Sequence, residues 1–410
     1  MKRKIDALHT SPMPIKYIYI NDLADFLRSH FYHLCVPPSA RVVLTPYNRL
    51  GFTKFEDLRA KRMGNPWVFM GVDRSHFSAK LRPALRYKQI HHVEYPPDQP
   101  RIAERTGVGF IPVLFSPEDE VFQDTTDIID MLEERFPDPA LIPAGTNGFL
   151  CRLFEVYADE FFPTVSMRTR WAYEENEAEL RRAFSAFTGN LQQGNTVADL
   201  MSSYLPMLGV TNETIPAIDA HTHEILSSLD AHFAAHAFIL GERLSLADCT
   251  LMGPLYAHLY LDRVTRKDLY DKYINVCMWI ERCNRPVPEK MGDWFKDDYP
   301  ATLLAVLRVI GRDAAPLLSA MDAGFHAWAV ENAVSGDEAP RGIGVYSGTL
   351  QNVPFSAGVR PYVSWKLQRL RELDKSGTSD VLSGTGCEVL LTQSDQTVEL
   401  EKAGFRLVFK

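Results

Sequence analysis

The chain has 410 residues, with 52 Asp and Glu against 44 Lys and Arg, a net charge of −8, and 46% hydrophobic residues. That length is enough for two or three domains, and the mild acidity argues against a general nucleic-acid-binding surface. No apolar run reaches about 18 residues, which argues against a membrane-spanning helix.

Residues 1–66 read as an N-terminal extension. Met1-Lys2-Arg3-Lys4 is basic but leads into no apolar signal core, and Asp6, Asp22 and Asp25 count against an acid-poor transit peptide. Asn21 to Leu27 has the start of a short helix, and Val36-Pro37-Pro38 would end it. The six cysteines (Cys35, Cys151, Cys249, Cys277, Cys283, Cys387) show no C-x-x-C spacing, so a reducing, cytoplasmic setting is the simpler reading.

The central stretch runs from Trp67 to Pro137. Trp67 to Gly71 is an apolar run that predicts a buried strand. A helix starting at Ser75 puts Phe77, Leu81, Ala84 and Leu85 on one face. Gln89 to Tyr95 predicts a second strand. Thr106 to Phe115 predicts a third, with Pro112 at its entrance, where a cis bond would turn the chain sharply. Val121-Phe122 is a short strand, and Gln123-Asp124-Thr125 opens a helix with polar groups at its N-terminus. The pattern is a βαβ unit followed by ββα.

Ser75-x-x-Ser78-x-Lys80-x-Arg82, Ile111-Pro112-Val113-Leu114 and Gln123-Asp124-Thr125 resemble the thioredoxin-like domain of glutathione transferases. The resemblance implies a glutathione site built from Ser75, Phe77, Ser78, Ile111, Pro112, Gln123, Asp124 and Thr125. In it Ser75 would touch the glutathione thiol as the catalytic group, favoured over Ser78, which could instead do that job. The backbone of Ile111, before the cis-proline, would bind the cysteinyl part. Asp124 would accept from the γ-glutamyl ammonium, and Thr125 would hold its carboxylate. The chemistry suits these residues. An unperturbed thiol titrates near ~8.5, and a hydroxyl at a helix N-terminus can donate to the thiolate while the helix dipole favours its charge. Two departures stand out: His76 where the family often has proline, and Asp124 where it often has glutamate.

Pro137 to Pro143 is a proline-rich linker. Helical patterns follow over Phe149–Trp171, with a break at Pro163, then Glu174–Phe187, Asp199–Leu208 and Ile215–His236. Gly241, Ser245, Ala247 and Asp248 resemble the G-x-x-x-S-x-A-D capping motif of the family's helical domain. Ser245 and Asp248 have capping-box spacing, with Leu244 placed to staple the helix that follows over Leu251–Tyr260. Val276–Arg282 is a further helix. By the resemblance, Val72, Phe77, Tyr157, Phe161, Arg168 and Trp171 would line the second-substrate pocket; for the helix residues Tyr157, Phe161, Arg168 and Trp171, plain core packing is the equal alternative. His221, His223, His232 and His236 cluster in sequence, but without H-E-x-x-H they predict no metal site.

The tail exceeds a plain two-domain transferase. Ala301–Ile310, Ala314–Val334 and Pro361–Leu373 predict helices, and Arg341–Gly358 a glycine-rich loop. Glu388–Leu391, Val398–Leu400 and Arg406–Phe409 predict short strands.

The expected fold is therefore a thioredoxin-like α/β domain (67–137), a linker (138–148), an all-α domain (149–290) and a mixed C-terminal extension (291–410). The implied function is glutathione transfer to a small apolar electrophile, as in detoxification, by a homodimer unless the extensions cover its usual interface. Two alternatives stay open: a non-catalytic scaffold of the same fold, and a glutathione-dependent isomerase, lyase, dehalogenase or peroxidase.

Overall fold

The computed structural model describes residues 65–410 apart from 297, 376 and 395. The helix expected at 21–27, the basic start and Cys35 lie outside the described residues.

A four-stranded sheet forms from β1 (Trp67–Met70), β2 (His92–Tyr95), β3 (Val113–Phe115) and β4 (Val121–Gln123), in the order β2-β1-β3-β4. β1 runs parallel to β2 and antiparallel to β3, and β3 is antiparallel to β4. Helix α1 (His76–Tyr87) joins the parallel pair. Helix α2 (Gln99–Thr106) fills the stretch left unassigned between the second and third expected strands, and the third strand is confined to Val113–Phe115 rather than starting at Thr106. The helix signals are local and strong: Asp98 caps it by accepting from Arg101 N–H, Pro100 sits in its first turn, and Gly107 ends it at φ 76°. Helix α3 (Thr125–Arg135) follows β4.

The helical domain begins with α4 (Gly145–Val156), a π-helical stretch (Tyr157–Phe161) and α5 (Phe162–Trp171). The break falls at the π-helical stretch rather than at Pro163. Pro163 lacks the N–H that would bond one turn back, and the widened turn before it absorbs that loss. Then come α6 (Glu174–Thr188), α7 (Leu191–Ser202), α8 (Ile215–Phe233), α9 (Leu246–Pro254), a second π-helical stretch (Leu255–Tyr260), α10 (Arg263–Lys272) and α11 (Ile274–Asn284). Helix α7 starts well before the expected position, because Asn190 caps it by accepting from Gln193 N–H.

The capping motif forms as expected. Asp248 accepts from Ser245 N–H at 2.9 Å, from Ile239 N–H at 2.9 Å and from the indole N–H of Trp279 at 2.9 Å. Gly241 adopts φ 122°, a conformation that favours glycine.

The C-terminal extension holds α12 (Ala301–Asp313), α13 (Ala315–Asn332), the hairpin β5 (Val345–Leu350) and β6 (Val353–Gly358), α14 (Pro361–Glu372) and the hairpin β7 (Leu400–Ala403) and β8 (Arg406–Phe409). Two expectations fail here. The glycine-rich segment is a β-hairpin, turned by Gln351 and Asn352 at φ 49° and 62°. Residues 387–391 form a 3-10 turn, not a strand. The extension is no appendage: Phe355, Trp365, Leu367, Leu370 and Phe409 belong to the same contiguous core as Phe149, Phe154 and Tyr157.

Candidate functional site

Register brings three chain segments to one end of the sheet. Met70 pairs with Val113, and Val113 pairs with Gln123. The residues just beyond this row are Gly71 after β1, the cis Ile111–Pro112 bond before β3, and Asp124 after β4. The turn carrying Ser75, the cis-proline loop and the start of α3 therefore stand side by side.

Ser75 caps α1: its Oγ accepts from Ser78 N–H at 3.3 Å. Ser75 is half-buried, whereas Ser78 is fully buried and its Oγ accepts from Val72 N–H at 3.3 Å. A Cβ at position 71 would lie 2.7 Å from Ser78 Oγ, so glycine lets the strand end close on the helix. Of the two serines, Ser75 is the partly exposed one. Phe77 is exposed, with its ring 4.9 Å from that of His76. His76 is buried and shifted down to about 4, chiefly by burial.

The loop before Pro112 is fastened from behind. Gln123 donates its amide N–H to Phe110 O at 2.8 Å and to Val108 O at 3.3 Å. Gln123 is buried, so its side chain positions the loop.

Asp124 holds φ 74° and ψ 116°, outside the usual wells of a residue with a side chain, while its carboxylate caps α3 by accepting from Thr126 N–H at 3.0 Å. Thr125 is buried beside it. The other oxygen of Asp124 accepts from Lys402 Nζ of β7 at 2.7 Å. Lys402 also lies 3.2 Å from Asp127, donates to Tyr362 Oη at 3.0 Å, and sits 4.8 Å from the ring centres of both Tyr362 and Trp365. Burial works to raise the Asp124 pKa, but the charges of Lys402 and Lys366 outweigh it and hold the carboxyl below its ordinary range. Asp127 is pushed up to about 6, first by burial and then by Asp124. Nothing local in the sequence flags Lys402, Tyr362 or Trp365 as neighbours of Asp124, because they come from the far end of the chain.

A buried charge network lies behind the site. Lys80 bonds Glu155 Oε1 at 2.7 Å and Asp159 Oδ2 at 2.5 Å. Lys366 of α14 pairs with the same Asp159, and Arg369 and Arg152 share Asp130. Thr126 Oγ1 donates to Glu155 at 2.9 Å. The π-helical stretch thus supplies Asp159 to cations from both α1 and the extension.

The expected second-substrate residues do not gather into one open wall. Tyr157 and Phe161 point into the core, where Tyr157 Oη is 2.9 Å from His221 Nε2 and Phe161 packs edge-on against that ring. Arg168 is buried and paired with Asp219 at 2.8 Å, and Trp171 is buried against Phe184. Val72 is half-buried at the site's rim. An open cavity of about 440 Å³ is lined by Arg74, the residue before Ser75, with Glu179, Leu261, Arg263, Arg266, Lys267 and Tyr270. Periodicity on a helix says which residues share a face; here that face is spent on the core.

Two of the clustered histidines are buried and bonded within the fold. His221 Nδ1 is 2.8 Å from Asp313, and His232 bonds Thr302 and the carbonyls of Phe238 and Ile239. Among the described residues no group of three potential ligands is arranged around a metal position.

Residues 69–140 match the family model for the N-terminal domain of glutathione S-transferase, and residues 198–286 match that for its C-terminal domain. Two segments of the chain thus match the two domain models of the glutathione S-transferase family, in the family's order. The fold is a thioredoxin-like domain followed by a helical one, with further helices and strands at the C-terminus. No curated protein matches the chain. Among solved structures, a glutathione S-transferase from Rhodospirillum rubrum is 18% identical, with 54% of this chain and 90% of that chain covered and a TM-score of 0.37. The β-etherase LigF from Sphingobium sp. is 17% identical, with 55% and 97% covered and a TM-score of 0.40. A glutathione S-transferase from Methylobacillus flagellatus, solved with glutathione bound, is 19% identical, with 52% and 93% covered and a TM-score of 0.32. No helix among the described residues is long and apolar enough to cross a membrane.

Proposed function

We propose that the protein binds glutathione at the end of the sheet and activates its thiol for attack on a small electrophile. The observation that carries this reading is the convergence of the Ser75 turn, the cis Ile111–Pro112 bond and the strained Asp124 on the row Met70–Val113–Gln123. A non-glycine residue at φ 74° costs of order 1–3 kcal/mol and persists where the surroundings hold it, which is common at ligand sites.

In this scheme the Ser75 hydroxyl donates to the thiolate, and the positive end of the twelve-residue helix α1 favours its charge. Ser75 forms no covalent bond. It stabilises the nucleophile that glutathione brings, so rate comes from a lowered thiol pKa and from positioning. The Ile111 backbone takes the cysteinyl part. Among the described residues, five cysteines are free and buried.

The test is the absorbance titration of bound glutathione thiolate, wild type beside Ser75→Ala. The expected result is a bound thiol pKa below that of free glutathione, rising by at least one unit in Ser75→Ala. No binding at millimolar glutathione, or a thiol pKa indifferent to Ser75, contradicts the reading.

The non-catalytic reading has one observation in its favour: the Asp124 carboxylate is already paired within the chain. A normal bound thiol pKa alongside measurable binding would select it.

A further inference from the structure

The geometry points to Lys402 as a resident occupant of the position that would receive the γ-glutamyl ammonium, so that this site binds a cysteinyl-peptide thiol without reading its amine. The inference rests on the glutathione reading above.

The Lys402 ammonium has three hydrogen-bonding positions, and three oxygens surround it: Asp124 at 2.7 Å, Asp127 at 3.2 Å and Tyr362 at 3.0 Å. The rings of Tyr362 and Trp365 flank it. It satisfies the carboxylate that an incoming ammonium would need. A second ammonium brought to Asp124 would meet a like charge within a few ångströms.

The hairpin that carries Lys402 is built into the fold. Leu400, Leu407 and Phe409 are buried, and Leu400 exchanges hydrogen bonds with Gln368 of α14 at 3.0 and 3.2 Å. Phe409 stacks on Phe325, and its backbone bonds residues 336 and 337. From the same hairpin, Arg406 lies beside Gly107, and Arg341 from the segment before β5 covers the ring of Phe110 at 4.2 Å. The extension therefore walls the site from Asp124 to the cis-proline loop. Ser75, by contrast, keeps its partial exposure.

The experiment compares two ligands by calorimetry: glutathione, and glutaryl-cysteinyl-glycine, in which hydrogen replaces the γ-glutamyl amine. The wild type is expected to bind the two within threefold of each other. Lys402→Met, which keeps the side chain's length and apolar contacts, is expected to bind glutathione at least tenfold tighter than the wild type does, with the analogue unchanged. The inference is overturned if the wild type prefers glutathione tenfold or more, or if Lys402→Met leaves the preference as it was. The wild-type ratio decides even if the variant fails to fold. Binding of neither ligand by either protein contradicts the glutathione reading itself, and the inference with it.

Discussion

Lys402 and Asp124 stand 278 residues apart in the chain and 2.7 Å apart in space. That contact ties the last hairpin of the extension to the first turn of α3, at the edge of the sheet where a ligand would sit. Its side chains are largely buried, at 14% and 19% exposure, so removing one partner leaves the other charge poorly solvated. Asp124→Ala is expected to lower stability by about 1–3 kcal/mol, read as a shift in urea midpoint. The double variant Asp124→Ala/Lys402→Met is expected to recover part of the loss. Strict additivity of the two single changes would show that the pair does not interact.

Asp248 anchors three elements: the start of α9, the segment at Ile239 and Trp279 of α11. It is fully buried, and burial pushes its carboxyl up to about 6. Asp248→Ala leaves those donors without an acceptor, and a loss of about 3 kcal/mol or more is expected from thermal or urea unfolding. A change under about 1 kcal/mol would mean that the motif does not carry the weight its bonds suggest.

Much of the architecture could be read locally. The apolar run of β1, the capping box at Ser245 and the proline at the entry to β3 are signals within a few residues of one another. Helix α2 is equally readable, from Asp98, Pro100 and Gly107, but its short polar stretch between two apolar runs goes unassigned in the sequence pattern. The β5–β6 hairpin hides behind its glycines. Asp124 announces a polar helix start; its Lys402 partner has no local signature, since only tertiary packing brings a surface-like lysine onto the site. The same holds for Tyr157 and Phe161, whose helical face turned out to belong to the core around His221.

His232 is buried, and its pKa is lowered to about 4, by burial first and then by His236. The unfolded chain would take up a proton near ~6.5. Stability from this group is therefore present above about pH 6.5 and lost as pH falls toward 4. His76 acts in the same direction, while Asp127 and Asp248, raised to about 6, act in the opposite one. His232→Gln is expected to flatten the fall in stability between pH 6.5 and 4 relative to the wild type. An unchanged slope would contradict the neutral, hydrogen-bonded state of this ring.

Gly253 lets α9 pack against the start of α1. A Cβ there would lie 2.7 Å from His76 Cδ2 and 3.0 Å from His76 O. Gly253→Ala is expected to cost about 1–3 kcal/mol by overpacking. Because His76 follows Ser75 directly, the same change is expected to weaken glutathione binding. Tight binding with an unaltered urea midpoint would show that the contact yields freely.

The most direct measurement on the whole account is amide hydrogen exchange of the wild type with and without saturating glutathione. Protection is expected to rise in the Val108–Ile111 loop and around Ser75, while Leu400–Ala403 and Arg406–Phe409 stay as protected as before, since the hairpin remains the wall of the site. Faster exchange in that hairpin on ligand addition, or no added protection at the loop, would contradict it.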